Sequence, residues 1–256
     1  MSKKAYRRNM LATGLVLFML ASSATAGAAT DVDLSLIEAA ARNDTRIFNM
    51  MLEMGANPEV QDKGGNSALL MAAYHANRNM VRRLLEMRVE VNVKGSIGFT
   101  PLGAAAMNAD PVIVQLLIKA GARLDVRDDA GNTPLLNALL FQRDANVQAL
   151  LAAGADAGKT DTQGRSPLMV AVQAGRLDYV NALLDKGVDL NQADKEETNA
   201  LFVAIFEGHD EIAQKLIAAG ANVKLTANGY PPLHWASVMG RAELVATLVN
   251  AGAAAN

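Results

Sequence analysis

Apolar positions recur along the chain in blocks that repeat almost letter for letter. Residues 98 to 107 read GFTPLGAAAM, residues 131 to 140 read GNTPLLNALL, and residues 164 to 173 read GRSPLMVAVQ. Each block starts 33 residues after the one before. Within residues 128 to 160, Leu135, Ala138 and Leu139 fall on one face at helical spacing. Gln142, Arg143 and Asp144 interrupt the pattern, and Val147, Leu150 and Leu151 resume it. This predicts two short helices per block. Asp128 to Asn132 carry turn chemistry ahead of them. Thr133 is placed to cap the first helix, Pro134 suits its first position, and Gly154 suits a left-handed end to the second.

The register holds over most of the chain. Leu69, Leu102, Leu135, Leu168, Leu201 and Leu233 are spaced by 33 residues, the last by 32. A second marker runs in parallel: Gly55, Gly121, Gly154, Gly187, Gly220 and Gly252, with Arg88 in the one slot that lacks glycine. A fixed period of this length means stacked supersecondary units. Helices this short do not persist alone and depend on their neighbours for burial.

These residues resemble the ankyrin repeat, with its T-P-L-H-x-A opening and L-L-x-x-G-A close. The openings are Thr100-Pro101-Leu102, Thr133-Pro134-Leu135 and Ser166-Pro167-Leu168, and Leu150 to Ala155 read LLAAGA. Gly208 to Ile212 resemble the family's turn between helices. The opening histidine is kept only at His234. Repeat one opens Ser67-Ala68 and repeat five Asn199-Ala200, both without proline, so these units are expected to be less stable. The resemblance covers about residues 33 to 256. It implies an all-α solenoid of six full repeats, each a hairpin turn and two helices, behind an N-terminal half unit. The sixth repeat ends at Asn256 with no polar closing repeat after it, and fraying is expected there.

The first residues follow a different pattern. Lys3, Lys4, Arg7 and Arg8 precede an apolar run from Met10 to Ala21, then small residues with Ala24-Thr25-Ala26. A run of about 12 residues is short for a membrane span, which needs about 20. The succession reads as a secretory signal peptide over residues 1–26, ahead of a single repeat domain over residues 27–256. A buried N-terminal helix is the competing reading. Arg7-Arg8 also loosely resembles a twin-arginine export signal. Cleavage near Ala26 would leave 20 Lys and Arg against 26 Asp and Glu, a net charge of −6. The full chain's formal net charge of −2 argues against nucleic acid as a partner. The chain has no cysteine, so no disulfide and no lipidated N-terminal cysteine. The expected product is a free protein in a bacterial periplasm, with no membrane span.

Candidate chemistry is sparse. The chain contains no G-x-S-x-G elbow, phosphate-binding glycine loop or H-E-x-x-H. His75 and His209 lie four repeats apart, about 35 Å, and cannot share a metal. The histidines are expected to hydrogen-bond at helix ends and turns. No catalytic residue, cofactor or metal is expected. Met50, Met51, Met54, Met71, Met80 and Met87 gather in the first units. Thioethers can bind Cu(I), which makes copper handling an alternative, although core filling accounts for Met51, Met71 and Met80.

The resemblance implies recognition of another protein on the concave side, by hairpin tips and by the two residues after the small pair of each first helix. The first of these helix positions are Tyr74, Met107, Leu140, Gln173, Phe206 and Val238. The second are His75, Asn108, Phe141, Ala174, Glu207 and Met239. Phe99 and Tyr230 stand in the hairpin position before the opening. Exposed apolar stripes mark partner sites, and aromatics are favoured anchors. The expected surface is therefore Tyr74, Phe99, Met107, Leu140, Phe141, Phe206, Tyr230 and Val238, with Phe141 and Phe206 central. Asp128-Asp129 and Glu196-Glu197 are expected to rim it. Exported relatives of this kind suggest two roles: an immunity protein that inhibits a secreted antibacterial enzyme, or an accessory to peroxide defence beside catalase.

Overall fold

A computed structural model of the chain describes residues 29 to 253. The segment read as a signal peptide lies outside these residues. Among the described residues, fourteen α-helices follow one another: α1 Asp31–Ala41, α2 Thr45–Glu53, α3 Ala68–Tyr74, α4 Arg78–Glu86, α5 Pro101–Ala106, α6 Pro111–Lys119, α7 Pro134–Leu140, α8 Asp144–Ala152, α9 Pro167–Gln173, α10 Leu177–Leu184, α11 Ala200–Glu207, α12 Asp210–Ala218, α13 Pro232–Val238 and α14 Ala242–Asn250. A 3₁₀ turn, Ser96–Gly98, lies between α4 and α5. Among the described residues, no helix is long and apolar enough to cross a membrane.

Each repeat pairs a first helix with a second. First helices pack on first helices along the stack, more closely than second helices pack on each other. A stack drawn tighter on one side bends toward it, so the first helices line the inner face. One core runs the length of the stack. Leu69, Leu102, Leu135, Leu168 and Leu201 are essentially inaccessible to water, and Leu233 nearly so.

The caps follow the repeat. Thr100, Thr133 and Ser166 accept from the backbone N–H of Gly103, Leu136 and Met169, at 3.2, 3.3 and 3.2 Å. Ser67 and Asn199 do the same for Leu70 and Phe202 at 3.1 and 3.2 Å. The repeats that lack proline are therefore fully capped. Among the first helices described, the start without a side-chain cap is in repeat six, where Pro231 occupies the cap position and offers no side-chain acceptor. The leading half unit has a reciprocal capping box between Thr30 and Asp33. Hydrogen bonds from the Asn57 backbone and from Thr30 hold the Asp33 carboxyl below its usual range.

Hairpin geometry repeats as well. Asp128 Oδ1 accepts from the backbone of Ala130 and Asn132 at 3.0 and 2.8 Å. Asp62, Asp161 and Asp194 each make the same pair of bonds two and four residues ahead. Consecutive hairpins are tied by backbone bonds: Asp129 N to Ile97 O, Thr162 N to Ala130 O, and Lys195 N to Gln163 O, each 3.0 Å.

Further ties join repeats at the opposite end of the first helices, where the last carbonyls need donors. Asn108 Nδ2 donates to Ala73 O and Tyr74 O at 2.9 and 2.8 Å. Arg143 Nε donates to Met107 O at 2.7 Å. The buried Asn146 amide reaches Ala106 O and Asn108 O at 3.0 and 2.7 Å. Arg176 joins Asp144 of the preceding repeat at 3.0 Å and Asp178 of its own at 2.6 Å.

The last repeat differs at its outer surface. The slot of Leu70, Leu136, Met169 and Phe202 is buried in those repeats and holds exposed His234 in repeat six. The slot of Ala73, Ala106, Leu139, Val172 and Ile205 holds exposed Ser237. The sixth repeat thus carries polar residues where its predecessors are apolar.

Arg88 is left-handed at φ 59, matching the φ of 87 to 97 at Gly55, Gly121, Gly154, Gly220 and Gly252. A non-glycine residue there costs about 1–2 kcal/mol. Its side chain is exposed. Arg88→Gly is expected to raise stability by about 0.5–1 kcal/mol, the strain relieved less the added freedom of an unfolded glycine. Urea denaturation of the two proteins checks the sign; a loss would show that Arg88 packs in a way that repays its strain.

Candidate protein-binding surface

The expected surface residues reach the inner face for a simple reason. Each interior first helix buries its leucine and small residues against both neighbours. The turn after the small pair then carries the next side chains off the core. Tyr74, Met107, Leu140 and Phe206 are all half-buried there. Tyr74, Leu140 and Phe99 also pack partly on the core, so each presents only one side to solvent. Phe141, the residue after α7, is 44% exposed, Tyr230 is 49% exposed and Val238 is 66% exposed.

These residues are not all gathered together. Phe141 makes no aromatic pair among the described residues, and Phe206 lies two repeats further along the stack. Tyr74 pairs only with its neighbour His75, edge-on at 5.1 Å. At repeats five and six the picture changes. Phe206 stacks on buried Phe202 at 6.4 Å and meets Trp235 edge-on at 5.1 Å. Trp235 meets Tyr230 at 5.9 Å, and Tyr230 stacks on His234 at 4.3 Å. The rings form one connected cluster from the end of α11 to the hairpin before α13.

Trp235 and His234 are absent from the surface expected from sequence. Trp235 stands where other repeats carry Met71, Ala104, Asn137, Val170 and Val203. The signal was its size: the chain's one tryptophan, in a slot filled elsewhere by smaller side chains. Its indole N–H donates to Ala227 O at 3.3 Å, which fixes the ring against the hairpin.

The hairpin acids divide. Asp128 is turned inward to hold its own hairpin and is not part of a rim, because two backbone N–H groups claim its carboxylate. Asp129, Glu196 and Glu197 are exposed. The histidines pack through their rings instead of hydrogen-bonding as expected. The His209 ring lies over Gly175, where a Cβ would meet it at 2.8 Å, and His234 lies against Tyr230. Of the methionines, Met51, Met71 and Met80 are buried in the core, while Met50, Met54 and Met87 are exposed.

The repeating hairpin and helix pair is matched by a family profile described as Ankyrin repeats (3 copies). It covers residues 36–128, 102–194 and 186–256. The chain belongs to the ankyrin-repeat family. No curated protein matches it. Ankyrin repeats are protein-interaction modules in general, and the fold here is an all-α repeat solenoid of that type.

Proposed function

We propose that this ankyrin-repeat chain is an exported bacterial protein, without catalytic activity, that binds a partner protein on its inner face. In this reading it acts as an immunity protein, seating and inhibiting a secreted antibacterial enzyme in the producer's periplasm. The observation that carries the binding role is the succession of partly exposed apolar side chains along the first helices, from Tyr74 through Met107, Leu140 and Phe141 to Phe206 and Val238. Tyr74 and Leu140 are held by the core at their base and are partly exposed beyond it. Their entropic cost on binding is therefore small. The basic, apolar and small-residue succession at the N-terminus supports export.

One experiment tests both parts. The tagged full chain is expressed in a bacterial host, the periplasmic fraction is collected, and the recovered protein is used as bait. N-terminal sequencing is expected to begin just after Ala26. A secreted hydrolase whose activity falls when the bait is added supports the immunity role. Catalase in the eluate would instead support the peroxide-defence role. An intact Met1 found only in the cytoplasm would remove the localisation.

A further inference from the structure

The aromatic cluster at repeats five and six differs from the rest of the inner face in how its rings gather. It is the one place among the described residues where several rings meet at the surface, with Tyr230 and His234 exposed and Phe206 and Trp235 half-buried. Carboxylates stand near it along the chain and on the adjoining hairpin. Glu207 directly follows Phe206 at the end of α11. Glu196 and Glu197 stand on the hairpin tip of repeat five, next in the stack to the tip that carries Tyr230. Among the described residues none of these three is in an ion pair; the arginine pairs are those of Glu38, Asp110, Asp144, Asp161, Asp178 and Asp210. Arg241, the arginine closest in sequence to the cluster, is directed at Asp210 at 3.6 Å and lies against Gly208. Lys195 is the cation on the same tip, and it is exposed.

An uncharged apolar partner would cover the rings but strip water from unpaired carboxylates, which costs free energy. A cation satisfies both features, since aromatic faces attract it and the acids complement it. A guanidinium is flat, stacks on rings and still presents donors at its edge, which an ammonium does not. We infer that the cluster of Phe206, Tyr230, His234 and Trp235, with Glu196, Glu197 and Glu207 near it, is the docking point for an arginine side chain on an exposed loop of the partner. This rests on the protein-binding reading above and adds the partner's chemistry to it.

Trp235 is the chain's one tryptophan, so its fluorescence reports on this cluster alone. The full chain is titrated with an acetylated, amidated heptapeptide, Gly-Ser-Arg-Ser-Arg-Ser-Gly, and with counterparts carrying Gln or Glu for both arginines. The arginine peptide is expected to change Trp235 emission saturably. The Gln peptide should bind at least tenfold more weakly, and the Glu peptide should give no saturable change. Tyr230→Ala should weaken the arginine peptide at least tenfold, Glu207→Gln severalfold, and Tyr230→Phe little. Circular dichroism checks that each variant is folded. Equal binding of the Arg and Gln peptides, or an arginine response unmoved in the Tyr230→Ala Glu207→Gln double variant, overturns the inference. So does a partner protein captured equally by wild type and double variant, an outcome that leaves the general protein-binding role standing.

Discussion

Leu135→Ala is expected to lower the stability of the chain by about 2–5 kcal/mol, the loss typical of deleting a fully buried leucine side chain together with the cavity it leaves. Leu135 is wholly inaccessible and sits near the start of α7, which packs on α5, α8 and α9. That position makes the effect larger than local. In a stack of repeats, stability is a sum of weak units and neighbour couplings. Repeat three couples two repeats on its N-terminal side to three on its C-terminal side. Removing its main apolar contact weakens the repeat and both its interfaces. The urea transition is expected to shift to lower denaturant and to broaden as the two sides unfold separately. Hydrogen exchange adds a spatial check: amides of α7 and of the flanking α5 and α9 should lose protection before those of α1. A variant that unfolds in one sharp transition at the wild-type midpoint would mean that the core is not carried by this layer.

Most of the fold could be read from the sequence because its signals repeat in one register. The leucine spacing gave the stack, Thr133-Pro134 gave the start of a first helix, and Gly154 gave the end of a second one. Arg88 in the glycine slot was legible as an exception, and its left-handed backbone shows that register outweighs residue preference there. What could not be read depends on partners far apart in sequence or on where a side chain turns. Asp128 looks like a surface charge until its carboxylate is seen to hold its own hairpin. Asn146 looks like a misplaced polar residue in an apolar helix. Its amide in fact closes carbonyls 38 and 40 residues earlier. Capping the first helices in this way comes from the next repeat, so no single unit shows it.

The candidate surface was legible in its positions but not in its grouping. Tyr74, Phe141 and Phe206 share a slot family, which suggests a continuous line. The repeats instead hold Phe141 apart and bring Phe206 and Tyr230 together through Trp235. Trp235 lies outside the positions that the family resemblance marks; its size in a slot of smaller side chains was the sequence signal, and the packing shows its part in the cluster.

Two glycines with the same backbone sign are expected to respond differently to alanine, and the difference measures the hairpin ladder. Gly154, at φ +92, closes α8, and a Cβ there would meet nothing within 4 Å. Gly131, at φ +80, lies in a hairpin where a Cβ would meet Thr162 N at 2.6 Å and the Asp161 carbonyl carbon at 3.0 Å. That Thr162 N–H is the one donated to Ala130 O, the bond that ties the hairpins of repeats three and four. Gly154→Ala should therefore cost about 1 kcal/mol, the left-handed penalty less the reduced freedom of the unfolded chain. Gly131→Ala adds a backbone clash, which overpacking data put at about 1–3 kcal/mol, for a total of about 2–4 kcal/mol. Faster exchange at the Thr162 amide should accompany the second change only. Equal losses in the two variants would show that the hairpins shift freely past one another, and that the stack is held by its helices alone.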